Sequence, residues 1–352
     1  MKLNKLLILA LSIGLFYTSC SNDEDTIIIP KGDYENGILI SHEGNFGMGN
    51  ASVSFVSYDL NAVENDVFNN VNSELLGDTA QSIAFNGDLA YIVLNVSNKI
   101  EIVNRYTFES VGTIKTGLNN PRFIAFLNGK GYVTNWGDGS NASDDYLAII
   151  DLSTNTLNGT TISVEEGPEE IISNGSNIYV AHQGGWSQNN KVSVINGSSD
   201  TVSTTITVGD VPNSLQLDNS GNLWVLCGGK PSWTGDETSG QLFKVNTGDN
   251  TTTSIDFAAT EHPNFLTIEN GILYYYLGGS VYKMSTASTT LPSNAEITGL
   301  SFYNMTVHGG VLYAVDAKDF ASEGALTSYD LSTNTEINST TVNIIPGGIY
   351  FN

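Results

Sequence analysis

Pro121-Arg122-Phe123-Ile124-Ala125-Phe126-Leu127-Asn128-Gly129-Lys130-Gly131-Tyr132-Val133 decides the fold. It reads as a short apolar strand, a tight Asn-Gly turn and a second strand ending in an aromatic–aliphatic pair, the signature of a β-hairpin. The pattern returns at Pro168 (closing on Ile178-Tyr179-Val180), at Pro212 (Leu223-Trp224-Val225) and at Pro263 (Leu273-Tyr274-Tyr275). It also returns without the proline at Ala80 and Tyr303. Recurrence every ~40–50 residues is the period of a β-propeller blade.

Working outward, Gly37-Ile38-Leu39-Ile40-Ser41 matches the second strand of the repeat and Ser52–Asp59 the third, with the segment to Thr79 supplying a fourth. The inner strand missing from this first blade stands at the other end of the chain, as Pro346-Gly347-Gly348-Ile349-Tyr350-Phe351-Asn352. Six complete copies and one split copy predict an all-β fold. It is a seven-bladed β-propeller over 37–352, closed by pairing the C-terminal strand with the N-terminal blade, which leaves few open sheet edges. The recurring Asp/Asn-x-Ser/Thr-x-Asn tips, as in Asp151–Thr156 and Asp330–Thr335, are turn chemistry.

Residues 1–19 read as a signal segment: Lys2 and Lys5, then an apolar run Leu6–Phe16 too short to span a membrane. Tyr17-Thr18-Ser19-Cys20 resembles a bacterial lipobox, which would make Cys20 the lipidated N-terminus and its acyl chains a membrane anchor. An ordinary secretory signal is the alternative. The segment 20–36 is read as a flexible tether. Its Ser21-Asn22-Asp23-Glu24-Asp25-Thr26 run fits either a plain linker or an acidic signal for export to the outer face of the outer membrane. With Cys20 acylated only Cys227 remains, so no internal disulfide is expected and Cys227 reads as a buried structural thiol.

The chain carries 13 Lys+Arg against 37 Asp+Glu, and without Lys2 and Lys5 the balance is 11 against 37, a net charge near −26. Such a field repels nucleic acid and anionic lipid, so no nucleic-acid partner is expected.

Insertions in repeat proteins gather on one face. Here the long ones share the slot between the second and third strands: 42–50 with His42, Asn45 and Phe46; 135–141 with Asn135 and Trp136; 182–188 with His182, Gln183 and Trp186; 228–235 with Trp233; and 316–320 ending in Phe320. Strand polarity puts them on the same face as the starts of the inner strands, where Gln81, Arg122, Glu169, Asn213, Asn264 and Asn304 stand. This predicts a polar ring at the mouth of a central channel, walled by aromatic loops. Three of the four tryptophans lie on these loops, where an aromatic costs solubility unless it meets a ligand; folding back over the blade edges is the alternative. Trp224 sits on a strand and is read as core. Asp138, Asp144 and Asp145 lack the spacing of a Ca²⁺ loop, so a solvated acidic loop fits them better than a Ca²⁺ site and no cofactor is expected. The four histidines share no metal-ligand spacing, and there is neither a nucleophile elbow nor a phosphate loop.

The Pro-x-x-Ile-x-Phe-x-Asn-Gly-x-Leu-Tyr-Val repeat and the sevenfold count resemble the YncE-like propellers over roughly 37–352. With the lipobox and His42-Glu43-Gly44-Asn45-Phe46 in the first blade, the chain more narrowly resembles the BtuG-type surface lipoproteins. That resemblance implies a non-enzymatic module anchored at the cell surface, capturing cobalamin or another corrinoid on one face for a TonB-dependent outer-membrane receptor. Two other functions stay open. One is a metal-dependent lactonase or lyase using the Glu169/Asn213/Asn264 ring; the other is a surface scaffold for protein or glycan.

Overall fold

The computed structural model describes residues 31–352; the signal segment, Cys20 and the tether as far as residue 30 lie outside the described residues. Seven four-stranded antiparallel sheets follow one another around an axis. Their inner strands are Pro346–Phe351, Ala80–Asn86, Pro121–Leu127, Pro168–Ser173, Pro212–Leu217, Asn264–Glu269 and Asn304–His308. The expected propeller of seven blades is therefore present, with the split blade where the repeat count put it.

Closure is carried by the last strand. Pro346–Phe351 pairs antiparallel with Gly37–His42, placing Ile38 opposite Phe351 and Ile40 opposite Ile349. Asn352 continues the seam: its backbone N–H donates to Gly37 O at 2.8 Å, and its side-chain amide donates to the carbonyls of Tyr34 and Arg105. Arg105 in turn donates to the Asn352 side chain. Phe351 stacks on His308 with ring centroids 4.1 Å apart.

The core consists of seven apolar layers, one between each pair of neighbouring blades, because successive side chains of a strand point to opposite faces of its sheet. Leu39 packs toward the second blade with Ala80, Ile83 and Ile92. Its neighbours Ile38 and Ile40 pack the other way, with Tyr313, Val315 and Leu326 of the seventh. Trp224 is buried, as expected, and its indole N–H donates to Asp218 at 3.1 Å. Cys227 is also buried, with its thiol pKa pushed up by desolvation.

Two details differ from the sequence reading. The segment expected as a tether, 20–36, overlaps the domain at its C-terminal end. Lys31–Asn36 belongs to the domain, because Tyr34 is buried edge-on between Phe55 and Phe108. The fourth strand of the first blade is only Val63–Glu64, and a short helix, Val67–Asn72, follows it. Val67, Phe68 and Val71 fill the layer against the second blade. Six residues are too few for a helical period to stand out.

Deleting residues 346–352 removes one strand of a blade and one wall of two apolar layers. The cooperative thermal transition should be lost or lowered by tens of degrees. An unchanged melting temperature would show that the ring holds without its clasp.

Candidate functional site

The loop face is shaped by a backbone device repeated around the axis. In six blades the pairing of inner and second strand slips by one residue at the start of the inner strand; the bulges span Ala80/Ser82, Pro121/Ile124, Pro168/Ile171, Pro212/Ser214, Asn264/Thr267 and, in the split blade, Pro346/Gly348. A bulge breaks the strict alternation of side chains and re-aims one of them. In five blades the residue just before the inner strand also has a left-handed backbone: Thr79, Asn120, Gly167, Val211 and Ile345. Each of their carbonyls accepts a hydrogen bond from the residue that follows the second strand, namely Asn95, Trp136, Gln183, Gly228 and Glu43 respectively, at 2.8–3.1 Å. This bond ties the roots of four of the five long loops, 42–50, 135–141, 182–188 and 228–235, to the rim of the channel. It explains why Glu43 and Gln183, which occupy the same slot of two blades, both face the axis.

The channel mouth opens into a cavity of ≈ 460 Å³ lined by Gln81, Glu169, Gln183, Asn213, Asn264 and Asn304, together with Glu43, Glu170, Phe123, Tyr303 and Tyr350. Five of the six expected ring residues thus meet, joined by the loop residue Gln183. Arg122, the sixth, is engaged beside them: its guanidinium donates to both Glu169 oxygens at 2.8 and 2.7 Å and lies over the Trp136 ring at 4.3 Å. Part of the ring's hydrogen bonding is spent on holding blades together. Asn213 donates to Pro263 O and to the Asn264 side chain, both at 2.9 Å, and Asn304 donates to Gly347 O at 2.7 Å.

The acids of this mouth are perturbed. Burial, reinforced by the neighbouring charge of Glu169 and opposed by Arg122, raises Glu170 to about 8. Burial also raises Glu43, although the Tyr303 hydroxyl donates to it at 3.0 Å. Tyr350, enclosed in the channel, is pushed up to about 12.

Above the mouth stand the exposed aromatics. Phe46 is 83 % exposed, Trp186 78 %, Trp233 76 % and Phe320 51 %, and Met48 joins Phe46 on the same loop. Two pairs of adjacent loops are tied together. The Asn45 amide donates to Phe320 O at 3.3 Å, and the Phe320 ring meets Tyr303 edge-on. Trp186 lies against Gly139, where any Cβ would collide with its indole nitrogen at 2.5 Å.

Four expected site residues are placed elsewhere. His42, Asn135 and His182 are completely buried inside their blades. Each ends a second strand, the layer below the rim. His42 bonds Ser54 Oγ and His182 bonds Ser193 Oγ, both at 2.8 Å, while the Asn135 amide bridges Val133 O and Asn119 N–H. Trp136 is half-buried, and its N–H donates to Pro168 O at 3.1 Å. It braces two blades, the alternative the sequence left open. The acidic loop is also accounted for: Asp138 accepts from Ser140, Asp144 from the Asp138 N–H and Asp145 from the Gly167 N–H. Among the described residues no group of three or more His, Cys, Asp or Glu side chains is set to hold a metal ion. The sequence reading missed Glu43, Glu170, Tyr303 and Tyr350. The register of Gln183 against Glu43 would have found the first; the bulge hid Glu170.

Two outcomes follow from this framework. Val211 carries a β-branched side chain in a left-handed conformation, which costs roughly 1–3 kcal/mol. Val211→Asn, the residue the third blade uses at Asn120, should stabilise the domain by about 1 kcal/mol in chemical denaturation. Burial holds His42 and His182 at about 3, against an ordinary 6.5. The unfolded chain therefore takes up protons that the folded one refuses, and stability falls as pH drops from about 6.5 toward 3, by roughly 2–4 kcal/mol per histidine at most. Replacing both with Asn should flatten melting temperature against pH over that window; an unaltered acid limb would contradict it.

The comparisons agree with this architecture. A candidate 6-phosphogluconolactonase of Bacteroides fragilis superposes with a TM-score of 0.64 at 13 % identity, covering 91 % of this chain and 99 % of that one. The periplasmic gluconolactonase PpgL of Pseudomonas aeruginosa gives 0.62 at 10 % identity, over 90 % and 98 %. BamB of Moraxella catarrhalis gives 0.55 at 12 % identity, over 90 % and 88 %. At these identities the likeness speaks for the fold. No curated protein sequence matches the chain. The sequence does match the family described as Domain of unknown function (DUF5074) over residues 36–346, nearly the whole propeller, and the chain belongs to that family.

Proposed function

We propose that this propeller is a lipid-anchored binding module of the outer membrane, exposed at the cell surface, which captures a bulky nutrient on its loop face and presents it to a TonB-dependent outer-membrane receptor. A corrinoid, cobalamin or a relative, is the favoured cargo, and no catalytic step is assigned. The observation that carries the reading is the ring of exposed aromatic side chains around a polar mouth. Phe46, Trp186, Trp233 and Phe320 offer broad apolar faces. Gln81, Gln183 and Asn45 beside them supply amide groups for the cargo's periphery. Such a division, apolar cover with a few directional polar groups, is what a large semi-polar ligand requires. The resemblance to BtuG-type lipoproteins in the first blade supplies the ligand class, and the lipobox at Cys20 supplies the anchor.

Calorimetric titration of the purified protein with cobalamin and with cobinamide tests the reading. Saturable heat is expected at micromolar protein, and Trp186→Ala and Trp233→Ala should each weaken binding by about tenfold, as loss of a buried aromatic anchor does. Absence of heat with both corrinoids would remove them as cargo. Unchanged affinity in both variants would remove the aromatic rim as the site.

A further inference from the structure

Below the rim, the cavity at the mouth continues into a second one of ≈ 320 Å³, the two sharing Phe123, Glu170 and Tyr350 among their walls. This chamber has an unbalanced charge. Arg122 is neutralised by its two hydrogen bonds to Glu169, and no Lys or Arg lines either cavity. Glu43 has only the Tyr303 hydroxyl. Glu170 accepts no hydrogen bond among the described residues and faces Glu169 on its own strand, Arg122 on the next blade and Tyr350 on the closing strand. Two carboxyl groups thus line the cavity without an ion-pair partner of their own, Arg122 reaching both only from its place on Glu169.

The same lining carries four aromatic residues, Phe123, Phe265, Tyr303 and Tyr350. Carboxylates combined with aromatic faces attract a positive charge borne by carbon-bound nitrogen, since ring faces are the negative pole of their quadrupole. A divalent metal needs several oxygen ligands converging on one point, and the acids do not converge in that way. An anion would meet uncompensated carboxylates. We infer that the mouth cavity is a binding site for a small organic ammonium ion, held by Glu170 and Glu43 among these aromatic residues, beneath the exposed aromatic side chains of the loops.

The cavity answers its own imbalance by keeping a proton on Glu170, which burial raises to about 8. A bound ammonium ion favours the carboxylate and expels that proton, so binding should tighten as pH rises from about 7 to 9. The inference stands apart from the corrinoid reading, because it uses none of the rim aromatics.

The test is calorimetric titration of the full chain with tetramethylammonium and with cadaverine, at constant ionic strength, in buffers of different ionisation enthalpy. Expected are one saturable site for at least one of the two, proton release near pH 8 and tighter binding at higher pH. Glu170→Gln should weaken the site at least about tenfold and abolish the proton release. Glu43→Gln gives a second variant should the first melt early. Glu336→Gln, which removes an exposed acid, should change nothing, and Trp233→Ala should leave the ammonium site intact whatever it does to corrinoids. The inference is overturned if neither cation saturates a site at millimolar concentration, if Ca²⁺ alone binds, or if a folded Glu170→Gln binds as well as the parent.

Discussion

The apolar layer between the seventh and first blades is the constraint on which the other six depend. Ile38, Ile40 and Val56 meet Tyr313, Val315 and Leu326 there, and nothing in the covalent chain brings these partners together. Each remaining layer joins blades adjacent in sequence, with a short loop between them. The seam joins residues some three hundred positions apart and must recover a correspondingly large loop-closure entropy, which grows only slowly with length. It does so through a full strand of pairing, a stacked Phe351 and the Asn352 clasp onto Tyr34 and Arg105. Once it is shut, the inner strands stand at fixed angles around the axis, and the mouth has a fixed circumference.

That fixed frame separates stability from recognition. The layers are built from side chains at alternate strand positions, whereas the mouth is built from bulged residues and the first residues of loops. Changing Gln81 or Gln183 alters no apolar layer. The division is incomplete, since Arg122–Glu169 and Asn213–Asn264 both line or border the mouth and tie neighbouring blades. A substitution there would be felt in both properties at once.

The architecture could be read in the sequence almost entirely, because one hairpin pattern recurs and its register is preserved. Pro121, Pro168, Pro212 and Pro346 mark the starts of inner strands, and each begins one in the structure. The site was legible only in part. Polarity alone located Gln81, Glu169, Asn213, Asn264 and Asn304 at the mouth, since it follows from the number of strands per blade. Burial of single polar side chains was not legible. His42 and Gln183 look alike in a string of letters, yet one ends a strand and the other begins a loop, and a shift of one position separates core from channel. Glu170 was hidden by the bulge, for strict alternation turns it away from the axis beside Glu169. The helix Val67–Asn72 and the docking of Tyr34 depend on tertiary packing against Phe55 and Phe108, which no local pattern encodes.

The direction in which the chain enters the domain has a consequence of its own. Lys31 pairs with Asp88, in the turn between the first two strands of the second blade, and the strand Gly37–His42 runs from that end toward the loops. Lys31, the first described residue, therefore lies on the side of the propeller remote from the aromatic rim. The point at which the domain begins thus takes no space from the surface where Phe46 and Trp233 stand.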